Sequence, residues 1–167
     1  MNDQFQFPGS YGGQVTLSFR PEDAASAGYV LVFAFYEGKL ILTKNKRRGW
    51  EVPGGTVELD EWPLQAAIRE TYEETGAELD AAEWIGQYTI IGEREVSMVK
   101  SVYVGRVFKL HDMPAGFETE DIRVCDRPPT RNEILQDESY SPIMRDQVYP
   151  LVMERIQQIR HPFTHQK

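Results

Sequence analysis

Cysteine is almost absent from this sequence: of 167 residues only Cys125 carries a thiol. One thiol cannot form an intrachain disulfide, and it cannot build a multi-cysteine zinc site. A reducing, cytoplasmic setting is the simple expectation, with Cys125 inert. Histidine is scarce too. His111, His161 and His165 lack metal-ligand spacing and are expected to be solvated. No apolar run approaches the ~20 residues that cross a bilayer. Residues 1–14 are polar and Gly-rich, without the basic-then-apolar order of a signal peptide. Basic charge is also short: 18 Lys and Arg against 26 Asp and Glu, a net charge of −8. That excludes a broad grip on a nucleic-acid backbone.

What is present suits one soluble domain over residues 1–167, with residues 1–13 and 161–167 as flexible ends. Apolar residues make up 41% and charged residues 26%, a balance that argues against global disorder. Such a length can bury a sizeable core.

Strand patterns come first along the chain. Residues 15–20 alternate apolar and polar, a half-buried strand. Residues 29–36 are a nearly continuous apolar run, a buried strand. Glu37-Gly38 turns the chain, and residues 39–43 return as a hairpin arm. Residues 50–53 form a short strand. Later, residues 84–91 read as a strand, 92–95 as a turn and 96–110 as a long strand. Residues 112–131, with three prolines and scattered acids, read as a loop. Ser141-Pro142 looks like an N-cap and first helical residue. From there to Ile159 the apolar spacing predicts an amphipathic helix that Pro150 kinks or splits. Strands, helix, strands, helix is the order of a mixed sheet between two helices.

Residues 54–76 concentrate the chemistry. Gly54 and Gly55 follow Pro53, and a short helix begins near Pro63 and ends at Gly76. Leu64, Ala67, Ile68 and Thr71 form its apolar or small face, expected to pack on the sheet. Glu70, Glu73 and Glu74 stand at i, i+3 and i+4, within roughly 100° of arc. Like charges at that spacing repel. A hard divalent cation compensates them, and it takes oxygen ligands. A solvated acidic helix is the other reading of the glutamates alone.

The wider pattern resembles the Nudix box, Gly-x5-Glu-x7-Arg-Glu-U-x-Glu-Glu-x-Gly-U, where U is aliphatic. Gly55, Glu61, Arg69, Glu70, Glu73, Glu74 and Gly76 fill its seven fixed positions. Seven chance matches fall on the order of once in 10⁸ start positions. Thr71 and Ala77 stand at the two U positions, a departure that concerns packing. A more diffuse resemblance, carried by residues 84–104, Phe117-Glu118-Thr119 and residues 141–146, is to the YtkD-type, MutT-like nucleoside triphosphatases. The proline mark of ADP-ribose pyrophosphatases, due near Ile91 or Gly92, is absent. So is the tyrosine of dinucleoside polyphosphate hydrolases, due near residues 92–94.

The resemblance implies an α/β/α sandwich around a mixed β-sheet. It implies Mg²⁺ or Mn²⁺ held by Glu70, Glu73, Glu74 and the Gly54 carbonyl, with Arg69 bracing the glutamates and Glu61 behind them. Water then attacks a phosphorus in line. Glu74 or Glu118 is the candidate base. A small-molecule nucleotide is the expected substrate: a nucleoside triphosphate cleaved to monophosphate and pyrophosphate, oxidised purines (8-oxo-dGTP-like) included. RNA 5′ ends or another nucleoside diphosphate derivative are the alternative, and a non-catalytic nucleotide-binding module is the second. No membrane partner is expected, and oligomeric state is left open. Arg47 and Arg48, basic in an acidic chain, read as a phosphate-facing loop or as a solvated turn. Tyr140 or Met144 can cover a base, and Ser141 or Asp146 can read its edge. Otherwise Ser141 only caps and Asp146 is solvated.

Overall fold

An uninterrupted apolar stretch cannot face water on either side, and in the folded chain residues 29–36 do not. Their side chains alternate between two cores. Leu31, Phe33 and Phe35 enter one, and Val30, Val32 and Ala34 enter the other. Burial on both faces marks a central strand. Each such Val, Leu or Phe contributes roughly 1.5–3 kcal/mol on burial.

The structure is a computed structural model that describes residues 2–10, 12–92 and 96–165. The last three positions of the turn expected over 92–95 lie outside the described residues. In chain order the elements are β1 (Gln4–Pro8), β2 (Gln14–Ser18), β3 (Tyr29–Tyr36), β4 (Lys39–Asn45), β5 (Gly49–Glu51) and β6 (Gly54–Thr56). They continue as α1 (Pro63–Thr75), β7 (Ala77–Ile91), β8 (Val96–Leu110), β9 (Thr119–Val124), α2 (Arg131–Gln136) and α3 (Val148–Gln158). The sheet order is β1-β2-β7-β8-β3-β4-β5, with β6 on β3 and β9 on β4. β3 runs parallel to β8 from Tyr29↔Lys100 to Phe35↔Arg106, and β7 and β8 are antiparallel. The sheet is therefore mixed. α1 covers one face through Ala66 and Ala67, and α2 and α3 cover the other through Ile134, Val148, Val152 and Ile156. This is the expected α/β/α sandwich. No helix is long and apolar enough to cross a membrane among the described residues.

α1 keeps its expected bounds, and of its expected face Ala67 and Thr71 are buried but Leu64 and Ile68 are not. It buries Ala66, Ala67, Thr71 and Thr75, whereas Leu64 and Ile68 are 42% and 40% exposed. Ala66 and Ala67 pack with Val30, Val32, Ala34 and Ile41 of the sheet. Thr71 suits its aliphatic position because its hydroxyl donates to the Ala67 carbonyl at 2.7 Å. Gly76 ends the helix at φ +80°, its N–H donating to the Tyr72 carbonyl.

Four other expectations change. Residues 4–8 pair with β2 from Gln4↔Ser18 to Pro8↔Gln14, so that part of the N-terminal end is a strand rather than a flexible tail. At the other end Phe163 is buried within a 3₁₀ turn, Pro162–Thr164. His161 is 5% exposed and bonded to Glu83 at 2.8 Å, not solvated. The region read as a loop contains β9, whose Thr-Glu-Asp-Ile-Arg-Val sequence has no apolar alternation, and α2, too short for a period. The last helix is two pieces. Ser141 caps a 3₁₀ turn, Pro142–Met144, and α3 starts only at Val148. Pro150 thus falls in the first turn, where its missing N–H costs nothing.

Candidate active site

β6 is three residues with two glycines, and its pairing with β3 (Val30↔Gly55, Leu31↔Gly54) lays bare backbone beneath α1. The absence of a side chain is used directly. A Cβ on Gly55 would strike the Glu70 carboxylate.

Arg69 ties the loop before α1 to the helix acids. Its Nε donates to Glu61 Oε2 at 2.8 Å and its Nη2 to Glu61 Oε1 at 2.9 Å. Nη1 reaches Glu70 at 3.1 Å and Glu73 at 3.2 Å, and Nη2 also reaches the Thr56 carbonyl at 3.0 Å. These bonds hold the Glu61 carboxyl down near 2. Glu74 is set differently. Its Oε2 accepts a long bond of 3.4 Å from the Gly54 N–H. Shielding from water, then the charges of Glu70 and Glu51, push its carboxyl up to about 9. Thr43 anchors that turn of helix by donating to the Glu74 carbonyl at 2.8 Å.

These carboxylates line one end of a cavity of about 940 Å³. Gly54, Gly55, Glu51, Glu70, Glu73 and Glu74 lie there. Tyr88, Ile90, Met98, Lys100, Ile143 and Asp146 line a second, more apolar region. Lys100 stands beside Tyr88 in the β7–β8 register, its Nζ 5.3 Å from the ring centroid. Burial lowers the Lys100 pKa and raises the Asp146 carboxyl to about 6. Asp146 is not solvated. Its Oδ1 accepts from the Val148 N–H at 2.9 Å.

The expected residues divide. Arg69, Glu70, Glu73, Glu74, Glu61 and Gly54 come together. Glu118 is exposed on the cavity wall, next to Phe117 and Thr119. Arg48 lines the cavity, and Arg47 is exposed and does not. Tyr140 and Met144 are core residues, 7% and 1% exposed, so neither covers a base in this geometry. At three residues per turn, the 3₁₀ segment turns Ile143 to the cavity when it turns Met144 inward. Glu51, Tyr88 and Lys100 were not anticipated. A glutamate between Trp50 and Val52, and a lysine amid the apolar run of β8, were the available signals.

The donor set suits a hard divalent cation. Every candidate ligand is an oxygen. Burial and the charges of Glu70 and Glu51, which raise the Glu74 carboxyl, are both offset by a bound cation. Among the described residues no three His, Cys, Asp or Glu side chains converge as a finished cage, because Arg69 draws Glu70 and Glu73 towards itself.

Comparison with known proteins gives the same picture. The NUDIX domain model matches residues 26–136. YtkD of Bacillus subtilis, whose assigned activity is 8-oxo-dGTP diphosphatase, is 33% identical over 155 residues, 92% of this chain and 96% of that protein. The crystal structure of a mutant of the B. subtilis pyrophosphohydrolase BsRppH has a TM-score of 0.85 at 32% identity. That alignment covers 93% of this chain and 97% of that one. The RNA pyrophosphohydrolase of Brucella anthropi is 33% identical over 85 residues, 48% of this chain and 47% of that protein. The chain is thus a member of the Nudix family, with pyrophosphohydrolases among its relatives.

Proposed function

We propose that this enzyme hydrolyses nucleoside triphosphates to nucleoside monophosphate and pyrophosphate, with oxidised purine nucleotides among its substrates. One observation carries the reading. A cavity large enough for a nucleotide joins a crowded carboxylate end to a region lined by Tyr88, Ile90, Met98 and Ile143. Glu70, Glu73, Glu74 and the Gly54 carbonyl are assigned to Mg²⁺, with Mn²⁺ as an alternative. When bound, the cation neutralises the polyphosphate and acidifies a water. Arg69, held by Glu61, fixes the direction of the glutamates. Glu118 is the assigned base, taking the proton of the attacking water from the cavity wall.

A second reading has a specific support. The cavity is lined from β6 and β3 through β8 to β7, three strand spacings or roughly 14 Å, and on to Gly12 and Gly13 ahead of β2. Beyond β7 the lining continues over Gly9, Ser10, Gly12 and Gly13, the side on which a further nucleotide of a triphosphorylated RNA 5′ end would lie. The likeness to BsRppH favours the same possibility. Turnover of 8-oxo-dGTP, dGTP and a 5′-triphosphorylated oligonucleotide with Mg²⁺, with pyrophosphate and orthophosphate quantified, separates the two. The first reading expects the highest kcat/KM on 8-oxo-dGTP with pyrophosphate released. A higher kcat/KM on the oligonucleotide selects the second, and no turnover of any of them rejects both.

Asp146 is assigned to the polar edge of the base. An unpaired buried edge costs about 1–3 kcal/mol. Asp146→Ala is therefore expected to change the ratio of kcat/KM between 8-oxo-dGTP and dGTP by ~5-fold or more, with metal affinity unchanged. Equal losses on both nucleotides would show that Asp146 does not read the base.

A further inference from the structure

Glu51 is a charged side chain only 3% exposed, and it faces the cavity from β5. Both of its oxygens are taken by Arg48: Nη2 donates to Oε1 at 2.7 Å and Nε to Oε2 at 3.1 Å. Such a fork fixes a guanidinium in plane as well as in place.

The loop carrying Arg48 is equally determined. It joins β4 to β5, closed at its base by the pair Asn45↔Gly49. The Asn45 side-chain oxygen accepts from the Arg47 N–H at 2.9 Å and the Arg48 N–H at 3.0 Å. The Lys46 N–H donates to the Glu118 carbonyl at 2.9 Å. Gly49 has φ +103° and lies against the Ser139 carbonyl, where a Cβ has no room. The strand then alternates. Trp50 turns into the core under the Arg123 guanidinium, and Glu51 turns towards the cavity. The Glu51 side chain is 4% exposed and that of Arg48 40%, so a buried carboxylate holds a guanidinium that stays accessible on the cavity lining. Glu51 is also close enough to Glu74 and Lys100 for its charge to act on both.

We propose that Glu51 is a positioning residue that locks Arg48 at the carboxylate end of the cavity, so that Arg48 grips the substrate's polyphosphate. Both carboxylate oxygens of Glu51 are directed at Arg48, so holding that guanidinium is the role the geometry gives it. This assignment rests on the reading of that end as the polyphosphate site. A guanidinium already fixed by Glu51 loses little further freedom on meeting phosphate, so the pair acts on substrate affinity.

The test is a double-mutant cycle on the full chain, with Mg²⁺ and whichever triphosphate the wild type turns over best. Arg48→Gln and Glu51→Gln are each expected to raise KM by ~10-fold with kcat within ~3-fold. The double variant should be no worse than the worse single one, since both remove the same grip. Arg48→Lys keeps the charge and loses the fork, and it should recover little of the affinity. It also decides the matter if Glu51→Gln does not fold. Multiplicative losses in the double variant, a fall in kcat alone for Glu51→Gln, or wild-type KM in Arg48→Lys would each overturn the proposal. Those results leave metal-dependent turnover by the wild type intact, whereas a wild type without such turnover removes the functional reading beneath it.

Discussion

Exchanging Glu73 for glutamine is expected to lower kcat by at least ~10²-fold, the scale of losing one strong electrostatic stabiliser. The amide preserves shape but removes a charge from the three-glutamate face of α1, and it is a poor ligand for a hard cation. The fold should tolerate it. Glu73 is one of four acids around Arg69, with Glu58, Glu61 and Glu70, and its bond at 3.2 Å is the longer of the two made by Nη1 to the helix acids. Ion pairs of this kind contribute at most about 1 kcal/mol. The like-charge repulsion relieved at i, i+3 offsets part of that. The melting temperature should therefore move by no more than ~4 °C. Wild-type kcat in saturating Mg²⁺ would remove Glu73 from the metal ligands. A collapse of the melting temperature would make its role structural instead.

Chelation is expected to have the larger effect. In EDTA the turnover of a nucleoside triphosphate should fall to background, and Mg²⁺ or Mn²⁺ should restore it. Carboxylates from α1 crowd around Gly54 and Gly55 with no cationic partner for Glu74 among the ion pairs of the described residues. A tetra-anionic polyphosphate brought to that end would meet the charges of Glu70, Glu73 and Glu74, which Arg48 alone does not offset without a divalent ion. The same binding has a readout independent of activity. At a cation concentration ~100-fold above Kd, mass action adds about 2.7 kcal/mol to stability. For a domain of this size that raises the melting temperature by roughly 5–11 °C. Undiminished turnover in metal-free buffer would sink the assignment of Glu70, Glu73 and Glu74.

What could be read beforehand was whatever is written locally. α1, β3 and β8 occupy the predicted residues because each carries its own period: Pro63 and Gly76 as brackets, an unbroken apolar run over 29–36, and a long β pattern over 96–110. The box glutamates fall on one helical face for the same reason, since 3.6 residues per turn fixes their relation without any tertiary contact. β9 and the start of β7 were harder to read. Thr-Glu-Asp-Ile-Arg-Val is mostly charged or polar, and Ala-Glu-Leu-Asp-Ala alternates but in residues of low β propensity, so pairing with β4 and β8 decides both.

The cavity was decided between elements. Ile143 lines it and Met144 lies in the core, because adjacent residues of a helical turn point about 100–120° apart and the packing of this turn fixes which of them faces inward. Lys100 and Tyr88 meet through the register of two strands, and Glu51 reaches Arg48 through a hairpin closed on Gly49. From sequence alone came the metal-binding pattern and the family, because both reside in one continuous helix and the loop before it. Only the tertiary structure decided which residues face the cavity, because strand register, hairpin closure and helix phase bring together positions far apart in the chain.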